Sequence, residues 1–171
     1  MERLGMIARW KPVHLGHAAV LQALVSRARE VLIGIGSSNK YDASNPFTAA
    51  ETAEMIGVVL SGATNFRILE VPDLGHGPRW RAMVTEMFGP LDAFVTANEY
   101  VRSLLESDYR VFHPMDLVPP HGWVRVDGTM VRRAMARGEN WRDMVPALVA
   151  GYLQSRGLVD RLVREFGEEL R

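Results

Sequence analysis

Arg9, His14 and His17, with Gly16 between the two imidazoles, form the densest group of chemically versatile side chains in this sequence. They suit the handling of phosphate, because imidazoles and a guanidinium stabilise negative charge on oxygen and a glycine lets a ligand approach the backbone. The run Leu4 to Ala8 reads as a buried strand and Pro12 breaks it. Beyond the break, Leu21, Leu24, Val25 and Ala28 repeat at the spacing of a helix. His14 and His17 then fall near the first turn of that helix, on one side of it. Unpaired N–H groups and the positive end of the helix dipole attract anions there. An isolated HxGH is more often a pair of capping and surface histidines.

A second cationic helix start follows much later, at Asp127-Gly128-Thr129-Met130-Val131-Arg132-Arg133, where Val131, Ala134 and Met135 carry the helical spacing. Gly128 and Thr129 supply backbone N–H donors and a hydroxyl, and Arg132 one turn further in can grip two phosphate oxygens. Read alone, this is also an N-capped surface helix. Asp73, His76, His113 and His121 sit in predicted loops, where solvated or backbone-bonded roles outnumber ligand roles.

The elements that must position these groups alternate. Val31 to Ile35, Phe66 to Val71, Ala93 to Thr96 and Arg110 to Phe112 read as short strands. Thr52, Met55, Ile56 and Val59 mark one helix between them, and Trp80, Met83, Val84 and Met87 another. Thr48 with Glu51 resembles a capping box and starts the first of these two helices. Such βαβα order predicts an α/β fold, a parallel sheet with helices on both faces and ligands beyond the carboxyl ends of the strands. After Pro119-Pro120 the pattern becomes a helix-rich tail, 129–171, with Gly138 and Gly157 as helix stops. The polar connection Ser37 to Asn45 has the composition of a loop that closes over ligands, or of a plain solvated one. Gly34-Ile35-Gly36 lacks the third glycine of a dinucleotide fingerprint and reads as close strand packing.

The chain has 171 residues with 47% hydrophobic and 23% charged, and no composition break, which predicts a single domain over 1–171. Lys+Arg and Asp+Glu balance at 20 each, so general nucleic-acid binding is not expected and any basic site is local. Without cysteine there is neither a disulfide framework nor a thiolate metal site, and five scattered histidines show no familiar zinc spacing, so no protein-held metal is expected. No apolar run reaches a membrane span and the first residues lack a signal-peptide stretch, so a soluble, cytoplasmic protein without a membrane partner is expected.

Four segments in order, ARWKPVHLGH, GSSNKYDASNPFTAAE, VTAN and DGTMVRRAM, resemble the nucleotidyltransferase superfamily, most closely the archaeal-type nicotinamide-nucleotide adenylyltransferases. The family motifs read GRFQPFHxGH, NPFTAGER, SGN and SGTEIRRRM, and the resemblance covers nearly the whole chain. It implies a Rossmann-like fold with a helical C-terminal tail, and transfer of AMP from ATP to nicotinamide or nicotinate mononucleotide. Ala8, Arg9, His14, Gly16 and His17 would then meet ATP, and Gly128, Thr129 and Arg132 its β and γ phosphates. His14, His17, Arg9 and Arg132 would carry catalysis. Trp80, Asn98, Phe47 and Asp73 would serve the acceptor. Mg²⁺ would arrive on the ATP phosphates, and the tail could add an interface to a homo-oligomer.

The sequence departs from those motifs at Ala8 for glycine, Lys11 for glutamine, Ala50 for glycine, Thr52 for arginine and Asp127 for serine. Lys11 adds positive charge to the first motif. An ionised Asp127 only accepts hydrogen bonds, so it either caps its helix or meets the metal accompanying ATP. The missing arginine at 52 leaves the acceptor open. Two alternatives stand beside the main reading: adenylyl or cytidylyl transfer to another phosphate-bearing acceptor, and a silent nucleotide-binding domain. An aminoacyl-tRNA synthetase fragment is disfavoured, because no KMSKS-like segment is present.

Overall fold

A computed structural model describes residues 1–171. Five parallel strands form the sheet: β1 (Arg3–Ala8), β2 (Glu30–Gly36), β3 (Phe66–Val71), β4 (Ala93–Val95) and β5 (Val111–Phe112). Their order in space is β3-β2-β1-β4-β5, so the chain runs outward from β1 on one side and then restarts on the other. The reversal lies between β1 and β4, whose register pairs Leu4 with Ala93 and Met6 with Val95. A crevice opens at such a switch point, beyond the carboxyl ends of the strands.

Helices α1 (Leu15–Arg27), α2 (Ala49–Val59), α3 (Gly77–Phe88) and α4 (Glu99–Leu105) connect the strands, and α5 (Gly128–Arg137), α6 (Ala147–Ser155) and α7 (Leu158–Leu170) form the tail. β2 is buried from Val31 to Gly36, which explains its unbroken apolar run: both faces of a central parallel strand are covered. One core joins Leu4, Val31 and Ile33 to Leu21 and Leu24 of α1, Met55 and Ile56 of α2, and Val131, Val149 and Leu162 of the tail. The other joins Leu32, Val71 and Phe94 to Val84 and Phe88 of α3 and Leu105 of α4. Each fully buried leucine or phenylalanine in these clusters contributes on the order of 1.5–3 kcal/mol of transfer free energy.

Several predicted details shift. Ala28 lies outside α1, as an extended C-cap, and the buried face of α1 is Val20, Leu21 and Leu24. Thr96 falls beyond β4, and Arg110 before β5. The capping box at Thr48 and Glu51 forms as read. Gly138 and Gly157 both adopt left-handed backbone, with φ of 69° and 65°, where the helices stop. At Gly34 a Cβ would come within 2.7 Å of Ile7 Cγ1, so the Gly34-Ile35-Gly36 segment is a place where side chains of β1, β3 and α3 press on β2.

Candidate active site

The crevice at the switch point has a volume of about 670 Å³. Its walls come from the end of β1 (Ala8, Arg9), the first turn of α1 (His14, Gly16, His17), Ser37, and the residues after β4 (Thr96, Ala97, Asn98). Asp73 and Trp80, with His113, Pro114, Met115, Val124 and Val126, complete the lining.

The histidines build one wall of the crevice. His14 is the N-cap of α1, and its Nδ1 accepts from the His17 backbone N–H at 3.2 Å, while His17 Nδ1 accepts from the His14 N–H at 3.4 Å. This is a reciprocal cap built from two imidazoles, with the rings stacked at 3.6 Å. With Nδ1 an acceptor in both rings, the proton of each neutral imidazole sits on Nε2, leaving an N–H to donate. Burial and the nearby Arg132 push His14 down to about 4, against the pull of Asp127. Burial and His14 hold His17 well below its ordinary 6.5, with the Pro12 carbonyl pulling the other way. Both rings are therefore neutral donors at neutral pH. Arg9 is exposed to the crevice and adds the full charge.

The second cationic segment packs against the first. Arg132 Nη1 donates to the Lys11 carbonyl at 2.9 Å and Nη2 to Thr129 Oγ1 at 3.2 Å. A Cβ on Gly128 would come within 2.7 Å of Nη1, so the guanidinium packs directly over the glycine and would have to shift for any larger residue. Arg132 is 5% exposed and, with Gly128 and Thr129, stands behind the crevice wall rather than in it. Its Nε has no partner, and two of the five N–H donors of a guanidinium are used. Burial first, and then Arg9, lower it to about 10, and it stays charged at neutral pH. Asp127 caps α5, accepting from the Met130 N–H at 2.9 Å.

After β4, Asn98 caps α4, accepting from the Val101 N–H at 3.0 Å, and lines the crevice. Asp73 binds the Gly75 N–H at 2.8 Å and Lys40 at 3.0 Å. One predicted acceptor residue is corrected, and so is the expectation that Lys11 adds its charge to the site. Phe47 is fully buried in the core and lines no part of the crevice, because it anchors the approach to α2. Lys11 is 2% exposed and faces the back of the Ser37 loop, so its charge is not presented to ligand. That loop is tied down, by Lys11 and by two bonds between Asn39 and the Asp73 backbone. His113 lines the crevice although its loop setting predicts a solvated role, and its position after β5, at a strand's carboxyl end, is the available signal. Thr52 turns inward, donating to the Thr48 carbonyl at 2.8 Å.

A parallel sheet reversing at the crevice, with an HxGH turn on its rim, defines a protein of the nucleotidyltransferase fold class. A bifunctional NMN adenylyltransferase/ADP ribose pyrophosphatase of Francisella tularensis, solved with AMP and a manganese ion, superposes with a TM-score of 0.71 at 17% identity. That match covers 96% of this chain, which spans about half (52%) of the Francisella protein. No family model matches the chain. A nicotinamide-nucleotide adenylyltransferase of Picrophilus torridus is 34% identical over 170 residues, covering 97% of this chain and 98% of its own. One from Aeropyrum pernix is 32% identical over 171 residues, 96% and 97% of the two chains. The chain belongs to the nicotinamide-nucleotide adenylyltransferase family.

Proposed function

We propose that this chain, working as one domain, joins the 5′-phosphate of nicotinamide mononucleotide to the AMP part of ATP and releases pyrophosphate. The observation that carries the reading is one crevice lined both by neutral imidazole donors with Arg9 and by Trp80, Asn98 and Asp73. A volume of about 670 Å³ lies within the range of small-molecule sites.

The second pKa of a phosphate monoester is about 6, so the attacking oxygen is ionised at neutral pH and needs no protein base. That oxygen bonds to the α-phosphorus of ATP as the bond from the α-phosphorus to the bridging oxygen of the pyrophosphate breaks, and the pyrophosphate leaves with the electron pair. Alignment and stabilisation of the developing charge supply the rate. His14 and His17 donate from Nε2 to phosphate oxygens. Arg9 neutralises the polyphosphate, and Arg132 supports that part of the crevice from behind its wall, through the Lys11 carbonyl and Thr129. Trp80 and Asn98 hold the acceptor, with Asp73 fixing the turn beside them. No three His, Asp or Glu side chains gather into a cage, and Mg²⁺ in our reading comes with ATP, held by phosphate oxygens and water. No helix is long and apolar enough to cross a membrane, and we place the work in the cytoplasm, on nucleotide substrates, with the tail available for self-association.

Incubation with ATP, Mg²⁺ and a panel of acceptors tests this: nicotinamide and nicotinate mononucleotides, flavin mononucleotide, phosphopantetheine and glycerol phosphate, with CTP as an alternative donor. Mass analysis is expected to find the dinucleotide of AMP and nicotinamide mononucleotide. Turnover of a different acceptor reassigns the substrate, and ATP binding without pyrophosphate release makes the chain a silent nucleotide-binding domain.

A further inference from the structure

Lys11 is a buried cation that the transfer chemistry does not use. Its ammonium donates to the Ser37 carbonyl at 3.0 Å, and to the Gly36 carbonyl and Asn45 Oδ1 at 3.4 Å each. Its own carbonyl takes the Arg132 guanidinium at 2.9 Å. One residue thus joins the turn between β1 and α1, the end of β2, the loop before α2, and α5. The amide of Asn45 is oriented by its other end, where Nδ2 donates to Asp42 Oδ1 at 2.9 Å, so a carboxylate polarises the acceptor that faces the ammonium.

The backbone adds an independent observation. Trp10 and Ser37 are the non-glycine residues with positive φ, at 57° and 49°, and both border this junction. Trp10 precedes Lys11, and the carbonyl of Ser37 is the closest partner of the ammonium. Strained corners of this kind persist only where their surroundings over-determine them. The Trp10 indole is held by the Gly34 carbonyl at 2.9 Å, and Lys11 holds Ser37. Arg9 and Ser37, the residues on either side of the tie, both line the crevice.

We propose that Lys11 is a positioning residue for the phosphate end of the crevice: without touching substrate, its ammonium holds Ser37 and the Asn45 loop and so fixes the turn that carries Arg9 and the carbonyl bound by Arg132, in the arrangement that receives ATP. This rests on the adenylyl-transfer reading only in taking that end as the ATP site. Burial and then Arg9 lower the Lys11 ammonium to about 8, with Asp42 pulling upward. The charged groups acting on it are Arg9 and Asp42, and the titratable groups of the elements that meet at the junction are His14 and His17 at the start of α1 and Arg132 of α5, which binds the Lys11 carbonyl. His14, at about 4, and His17, well below 6.5, are already neutral at pH 7; Arg132, at about 10, remains charged past pH 9; and the bonds around Asp42 outweigh its burial and keep it ionised. Lys11 is the member whose charge is lost as pH rises from 7 to 9.5.

The experiment is calorimetric binding of Mg·ATP, without acceptor, to the wild type, Lys11→Gln and Lys11→Met between pH 7 and 9.5. Wild-type affinity is expected to fall about tenfold across that range, as a charge-assisted tie becomes a neutral one. Lys11→Gln keeps an N–H donor without a titrating charge and is expected to bind with a flat pH profile. Lys11→Met is expected to bind about tenfold more weakly at pH 7 and to raise KM for ATP more than it lowers kcat. A flat wild-type profile, an alkaline fall that survives in Lys11→Gln, or wild-type behaviour in Lys11→Met overturns the proposal. If Lys11→Met does not fold, the first two comparisons decide. A wild type that binds ATP but transfers nothing to any acceptor sinks the functional reading and leaves this measurement intact, whereas one that binds no ATP sinks both.

Discussion

At the scale of single residues, the reciprocal cap gives the two histidines separable tests. His14 and His17 each spend Nδ1 on a backbone N–H and carry the ring proton on Nε2, so truncation removes a cap bond and a donor together. His17→Ala is expected to lower kcat by about a hundredfold, with Mg·ATP affinity changed by no more than about threefold, since the donor acts on charge that develops in the transition state. Rapid-quench measurement of AMP transfer checks it, and equal turnover removes His17 from catalysis. The cap bond itself accounts for about 1 kcal/mol of stability. Arg132→Ala is expected to raise KM for ATP about tenfold and also to lower the unfolding midpoint, because the buried Lys11 carbonyl loses its donor. An unchanged ATP dependence would leave Arg132 as a structural strut alone. Asp127, whose type allows either a cap or a metal contact, serves as a cap: an acceptor at the start of α5 satisfies the Met130 N–H as well as the family serine can.

At the scale of elements, what the sequence made legible follows from periodicity and what it concealed follows from direction. The strands are readable because central parallel strands are apolar on both faces, and α2 because its cap and its stripe agree. The helix α4 is hidden: it is seven residues long, and its cap Asn98 looks only like a ligand contact. The convergence of Arg9, His14, His17, Asp73, Trp80 and Asn98 is legible, since βα order sends every one of them to the carboxyl end of the sheet. Side-chain direction is not. Lys11 and Arg132 stand out in the sequence as cations beside a phosphate loop, yet both turn inward, and Phe47 sits beside the site motif only to fill the core. Nor does a linear sequence announce that α7 braces α2. Arg161 makes a bidentate pair with Glu51 at 2.6 and 2.7 Å and also donates to the Pro46 carbonyl at 3.0 Å. Although burial opposes it, that pairing holds Glu51 below the ordinary carboxylate range. Arg161→Ala is expected to cost about 1–2 kcal/mol in urea unfolding, the scale of a charge-assisted pair that is mostly shielded from solvent. A loss indistinguishable from zero would mean that α7 is held by its apolar face alone.

At the scale of the whole molecule, the site is bought with stability, and pH exposes it. His14 binds its proton at about 4 in the folded state against an ordinary 6.5 once the chain unfolds, so the unfolded chain binds more protons between those values. Stability is therefore complete above pH 6.5 and falls toward pH 4, by roughly 3 kcal/mol for this group. Lys11 obeys the same sign in another window: the unfolded chain holds its proton up to 10.5 and the folded one to about 8, so stability rises between them. Thermal unfolding across pH 4 to 10 is expected to show both slopes. The claim beneath all of this is that two stacked, neutral imidazoles face the ATP phosphates. It is tested most directly by NMR titration of the His14 and His17 ring protons, assigned through single substitutions, with and without Mg·ATP. The account predicts a His14 midpoint at about 4, a still depressed His17, and a shift of both rings, with raised midpoints, when the polyphosphate binds. Two rings that titrate near 6.5 and ignore ATP would contradict it.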